Sequence, residues 1–180
     1  MCRRFSLDVS RLPDGEAYPG IRLPSSLLAE PGKKAYGLAY TKGGSLKAFL
    51  FTFGFPSFDG SLLYNARIET VEEKKTFQTD YRSHKAVFPA TSFSEEDRYK
   101  KEHTFAPKES QVLYLAGFYS PRMDFVLLTE KGEGEVAYYH PRMPLTLKAE
   151  DVVSYLRGED VLHRKRPLLL EENPDVLPLF

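Results

Sequence analysis

The stretch YGLAYTKGGSLKAFLFTF, Tyr36–Phe53, decides the fold class. Tyr36–Tyr40 and Leu46–Phe53 are rich in aromatic and apolar residues, and between them lies TKGGS, Thr41–Ser45. Gly43 and Gly44 can take positive φ and so turn a hairpin. Outward from this hairpin, strand-like runs recur at Ser61–Ala66, Ala86–Phe93, Val112–Tyr119, Asp124–Thr129 and Val136–His140, each carrying β-branched or aromatic residues. Helical patterns are fewer. Thr70–Tyr81 is charged, with a weak apolar stripe at Val71, Phe77 and Tyr81. Ala149–Arg157 reads as the better helix, with Glu150 and Asp151 in its first turn and Gly158 placed to cap it. Gly15–Gly32 holds three prolines and no period, which predicts an irregular surface connection. Strands and helices do not alternate as a parallel doubly wound sheet requires, so the expected class is α+β, a mainly antiparallel β core with flanking helices.

A length of 180 residues fits one domain, 1–180, large enough to bury a core without metal or disulfide staples. No apolar run approaches the roughly 18 residues of a membrane span. Arg3 and Arg4 resemble the start of a signal peptide, but Ser6, Asp8, Ser10, Arg11 and Asp14 interrupt any apolar segment behind them. With a single cysteine, the chain is expected in a reducing cytoplasm. Zero formal charge argues against coating nucleic acid non-specifically. Residues 1–50 nevertheless carry eight Lys or Arg against four Asp or Glu, compatible with a local basic face or with a solvated surface.

YNARIET, Tyr64–Thr70, ends an apolar strand with Asn65, Arg67 and Glu69 at a spacing of two. In a strand this points all three to one face. That face is either a solvent-facing edge or a site for something anionic or carbonyl-bearing, which the planar fork of Arg suits. YHPRMP, Tyr139–Pro144, places His140 after an aromatic strand with Arg142 two residues on. Such a histidine is either structural or a proton donor and acceptor at neutral pH. FPATSFSEED, Phe88–Asp97, ends in Glu95, Glu96 and Asp97, either a solvated turn or an acid or base at a strand end. FTFGFPSF, Phe51–Phe58, reads as core, with base stacking the alternative for any exposed part. His84, His103 and His163 suggest nothing specific, and four scattered histidines with one cysteine give no zinc spacing. Phosphate-loop and G-x-S-x-G motifs are missing.

The single cysteine is Cys2, in MCRRFS. Removal of Met1 would leave a free amine and a thiol on adjacent carbons. That pair captures an aldehyde as an imine and then closes a five-membered thiazolidine.

The order of these pieces closely resembles one family. Cys2 with Arg4, GEAYP, the GFP segment, NARxET, P-A-x-x-F-x-E, LYLAG, a strand ending LLT and H-x-R-M-P follow each other as in SRAP-domain (SOS response-associated peptidase) proteins, from Cys2 to about Leu156. These are abasic-site processing proteins that crosslink themselves to single-stranded DNA. The resemblance implies a compact, partly barrel-like antiparallel β core with peripheral helices. It makes Cys2 the nucleophile once Met1 is lost, Asn65 and Arg67 the site residues of NAR, Glu95 the site glutamate and His140 the site histidine. Arg4, Arg67 and Arg142 become the positions that face the DNA backbone. The implied partner is single-stranded DNA with abasic sites, taken by a monomer in the response to DNA damage, with no metal or organic cofactor and no membrane. Arg3 stands where the family has glycine, and Phe53, Glu96 and Tyr155 stand where it has tryptophan. A Cys-type peptidase or autopeptidase and a non-covalent single-strand binder remain the alternatives.

Overall fold

The computed structural model describes residues 2–108, 110 and 112–172. Met1, on whose removal the expected chemistry depends, and the closing segment 173–180 lie outside them. Near the start come β1 (Arg4–Leu7), a small hairpin of β2 (Glu16–Tyr18) and β3 (Ile21–Arg22), and β4 (Leu27–Ala29). The hairpin read from Tyr36–Phe53 is β5 (Lys34–Tyr40) and β6 (Leu46–Phe53), paired from Lys34↔Thr52 to Tyr40↔Leu46. Its turn places Gly44 at φ +78°. Then follow β7 (Phe55–Pro56), β8 (Leu62–Leu63), β9 (Asn65–Arg67) and helix α1 (Gln78–Ser83). The second half holds β10 (Lys85–Ala90), β11 (Ser92–Glu96), β12 (Glu102–Pro107), β13 (Leu113–Tyr119) and β14 (Asp124–Lys131). After helix α2 (Val136–Tyr139) come β15 (Arg142–Pro144), β16 (Thr146–Leu147), helix α3 (Val152–Leu156) and β17 (Leu169–Glu172).

The larger sheet is ring-like. Its strands run β14-β6-β5-β10-β13, and β13 pairs back onto β14. Pairing is antiparallel except along one edge of β14, which β6 and then β9 join in parallel. Phe51, Phe53, Phe88 and Phe125 fill the inside, with Phe88 and Phe125 stacked at 3.8 Å. Gly37 and Gly117 make room for them: a Cβ on Gly37 would lie 2.7 Å from the rings of Phe51 and Phe88, and one on Gly117 would lie 2.6 Å from Val126 O. The outer face, with Leu38, Val87, Phe118, Val126 and Leu128, is covered by Phe77 and by Val152, Tyr155 and Leu156 of α3. Both faces of β13 are therefore apolar, as its unbroken LYLAG run requires.

The second sheet, β17-β12-β11-β1-β4, is antiparallel throughout. Phe5 of β1 packs edge-on against Phe53, Phe88 and Phe125, so this sheet shares the ring's aromatic filling. The chain passes between the sheets at Thr91, which divides the expected Ala86–Phe93 strand into β10 and β11. Thr91 Oγ1 donates to Ser6 O at 3.1 Å, which ties the crossing point to β1.

Four expectations are corrected. Val136–His140 is a helical turn, α2, and not a strand. Gly134 at φ +56° starts the turn, and Gly132 N–H bonds Pro141 O at 2.9 Å to close the loop, so local turn geometry outweighs the β-propensity of Val and Tyr. Within Thr70–Tyr81 only the end, from Gln78, is helical, and the helix runs on to Ser83. Val71 and Phe77 are both buried but would stand about 120° apart on a helix, beyond the width of a narrow apolar stripe, and turns bury both. Ala149–Arg157 opens as a 3₁₀ turn over Ala149–Asp151 before α3, with Gly158 at φ +80° beyond its end. The irregular Gly15–Gly32 connection contains β2, β3 and β4, while β12 and β17 have no counterpart in the sequence reading.

Candidate functional site

β1 pairs with β11 through Arg4↔Ser94 and Phe5↔Phe93, which carries Cys2, just ahead of β1, to the strand that bears Glu95. The Cys2 side chain is fully buried, and its thiol donates to Arg4 O at 3.5 Å. Burial, and then the charge of Glu95, push the thiol well above its ordinary pKa. Glu95 is 2% exposed. Burial raises its carboxyl to about 7, with Glu96 adding in the same direction.

His140 follows α2 in extended conformation, as a residue before proline does. Its Nδ1 lies 2.6 Å from Arg142 O and 3.8 Å from Glu95 Oε2. The Arg142 backbone N–H also points at Nδ1, at 3.1 Å, so both backbone polar groups of Arg142 orient the ring through this one nitrogen. Burial lowers the His140 pKa and outweighs the bond to Arg142 O, which by itself would raise it. A raised carboxyl and a lowered imidazole both favour neutral forms, so neither charge is strongly held across the 3.8 Å approach.

Glu95 and His140 open onto a cleft of about 810 Å³, whose walls include Arg3, Arg4, Tyr64, Arg98 and Tyr139. Thus Cys2, Glu95, His140 and Arg4 converge. Arg4 is already engaged: Nε and Nη2 donate to Glu30 Oε1 at 2.9 and 2.6 Å, and Nη1 donates to Glu102 at 2.8 and 3.1 Å. Cys2, Asn65, Arg67 and Arg142 are not among the residues lining the cleft; Cys2 lies buried behind Glu95. Asn65 lies next to the cleft residue Tyr64, donates to Tyr64 O at 2.9 Å, and has a buried Oδ1 without a hydrogen-bond partner among the described residues. Arg67 is exposed at the end of β9. Glu69, expected on the same strand face, lies beyond that end. Arg142 turns to it, donating to both carboxylate oxygens at 2.6 and 2.9 Å and to Thr129 O at 2.6 Å.

A second cluster backs the cleft without a signal in the sequence. His103 on β12 is 5% exposed, with Nδ1 2.6 Å from Glu171 Oε1, Nε2 3.2 Å from Asp97 Oδ2, and its ring stacked on Tyr139 at 3.9 Å. Burial alone would lower its pKa, but the bonds to Glu171 and Asp97 outweigh it and hold the imidazole above the usual range. Tyr139 immediately precedes His140, so this cluster braces the site histidine. Glu171 lies 68 residues from His103, on a strand that no local pattern announced.

Among the described residues, no group of three or more His, Cys, Asp or Glu is placed to hold a metal ion, and no helix is long and apolar enough to cross a membrane.

The profile of the SOS response associated peptidase (SRAP) family matches residues 30–177, and the chain belongs to that family. Solved structures share its fold. A protein from Bordetella bronchiseptica is 17% identical with a TM-score of 0.67, over 96% of this chain and 100% of that one. A protein from Bacteroides thetaiotaomicron is 14% identical with a TM-score of 0.67, over 97% and 93%. A phage-related protein from Bordetella bronchiseptica is 17% identical with a TM-score of 0.69, over 86% and 81%. No curated protein matches the chain.

Proposed function

We propose that this protein captures abasic sites in single-stranded DNA through a thiazolidine formed by Cys2 after removal of Met1. The observation that carries the reading is the buried Glu95 carboxyl, raised to about 7, which lines an open cleft beside His140 and whose charge acts on the Cys2 thiol buried behind the cleft wall. An abasic deoxyribose is partly a ring-opened aldehyde. The Cys2 α-amine, with an ordinary pKa of about 7.7–8.0, attacks the aldehyde carbon. Glu95 protonates the departing hydroxyl, water leaves, and an imine forms. The Cys2 sulfur then bonds to the imine carbon while its proton passes to the imine nitrogen. His140 handles the proton on the sugar oxygen as its ring opens, Asn65 orients the reacting groups, and Arg4 and Arg67 serve the backbone of the strand, while Arg142, held by Glu69 and Thr129 O, supports His140 from behind. The chemistry of these residues requires no metal or organic cofactor.

The raised Cys2 thiol weighs against the peptidase alternative, because a Cys–His peptidase works through a thiolate that its histidine stabilises. The test uses abasic, undamaged and peptide substrates with the chain that begins at Cys2. A denaturation-resistant adduct with the abasic strand alone, lost in Cys2→Ala, supports the proposal. Equal adduct from both proteins refutes it. Peptide cleavage alone, or reversible binding alone, selects the peptidase or the non-covalent binder.

A further inference from the structure

Resting on the reading of the cleft as a DNA site, we propose that Glu30 and Glu102 stand in for a DNA phosphate on Arg4, so that every entering strand must exchange with them. The Arg4 guanidinium offers a planar fork suited to two phosphate oxygens. Here that fork is filled by carboxylates from two separate parts of the chain, 26 and 98 residues away. Two negative charges against one positive leave the Arg4 position itself with no net attraction for a phosphate.

The arrangement is exchangeable. The side chains of Arg4, Glu30 and Glu102 are 41%, 35% and 43% exposed, and all three line the cleft. Ion pairs this wet hold weakly and reform quickly. The Arg142–Glu69 pair is the contrast: Arg142 is 16% exposed and is also pinned by Thr129 O, so it is part of the frame.

Exchange shapes selectivity. An undamaged strand gains from Arg4 only what the carboxylates give up, and so it leaves fast. An abasic strand is retained by a covalent bond that does not depend on Arg4. The carboxylates thus suppress idle occupancy by intact DNA and leave discrimination to the chemistry at Cys2.

The test reads reversible binding alone, in a Cys2→Ala background, by anisotropy of a labelled undamaged thymidine single strand between ~50 and ~200 mM salt. Adding Glu30→Gln and Glu102→Gln together should tighten binding about ten-fold and steepen the salt slope by about 0.7, the equivalent of one more phosphate contact. Arg4→Gln should erase that gain, yet change little when the glutamates are intact. Glu73→Gln with Glu133→Gln, the same change in net charge elsewhere on the surface, should leave affinity as it was. Unchanged affinity and slope, or a gain that survives Arg4→Gln, overturns the phosphate mimic while leaving the DNA reading intact. If no form binds the strand, both fall.

Discussion

His140 Nδ1 lies 3.8 Å from Glu95 Oε2, and burial moves the two groups in opposite directions, the carboxyl up to about 7 and the imidazole down. The usual order of a glutamate and a histidine is thereby inverted, and neither group is strongly held in its charged form near neutral pH.

Burying Glu95 lowers stability above neutral pH. Its folded pKa is raised, so between about 4.5 and 7 the folded chain binds more protons than the unfolded chain, and stability falls as pH rises through that window. Glu95→Gln removes the buried charge. The variant should be more stable than the parent by roughly 1–3 kcal/mol at about pH 8, with the gap closing towards pH 4.5. Urea unfolding at three pH values checks this, and a variant no more stable at the alkaline end contradicts it.

Capture kinetics should follow a bell. The reaction needs a protonated Glu95 and an unprotonated Cys2 amine, so the initial rate should peak near pH ~7.4 and fall on both sides. Glu95→Gln should slow capture and abolish the alkaline limb, because no acid is then lost as pH rises. A single-turnover rate profile shows whether that limb depends on Glu95.

The His103 cluster has the same pH dependence, but here the charged form is the one that the fold stabilises. His103 is held above the usual histidine range, so its bonds to Glu171 and Asp97 contribute fully below about pH 6.5 and fade as pH rises through the folded pKa. His103→Gln should cost roughly 1–3 kcal/mol at pH ~6 and clearly less at pH ~9. A loss of stability independent of pH would assign His103 to packing alone.

The ring's filling predicts two costly glycine substitutions. Gly37→Ala drives a methyl against Phe51 and Phe88, and Gly117→Ala drives one against Val126 O and Phe88. Overpacking of this kind costs about 1–3 kcal/mol, and Gly117→Ala should be the worse because the backbone carbonyl it meets belongs to a paired strand. Thermal melts of the two variants rank them directly.

Much of this was legible in the chain. The Gly43–Gly44 turn and its aromatic flanks gave the central hairpin, because tight turns and strand alternation are local properties. NAR and H-x-R-M-P marked Asn65, Arg67 and His140 as candidates. The α2 turn was hidden because Val and Tyr favour strands wherever loop closure does not intervene. β17 was hidden because it pairs with the far-off β12, Thr104 opposite Glu172, a contact that periodicity does not encode, and β12 because its charged and small residues, Glu102, His103, Thr104 and Ala106, mask the strand pattern. The same limit concealed Glu30 and Glu102, whose meaning comes only from meeting Arg4.

The central claim is that one residue supplies both the nitrogen and the sulfur that hold the damaged sugar. Intact mass of the denatured product after incubation with an abasic single strand tests this most directly. The account predicts the mass of the chain beginning at Cys2 plus the DNA less one water, and no such species from Cys2→Ala. A chain that keeps Met1 and still forms the adduct, or an adduct that survives Cys2→Ala, contradicts it.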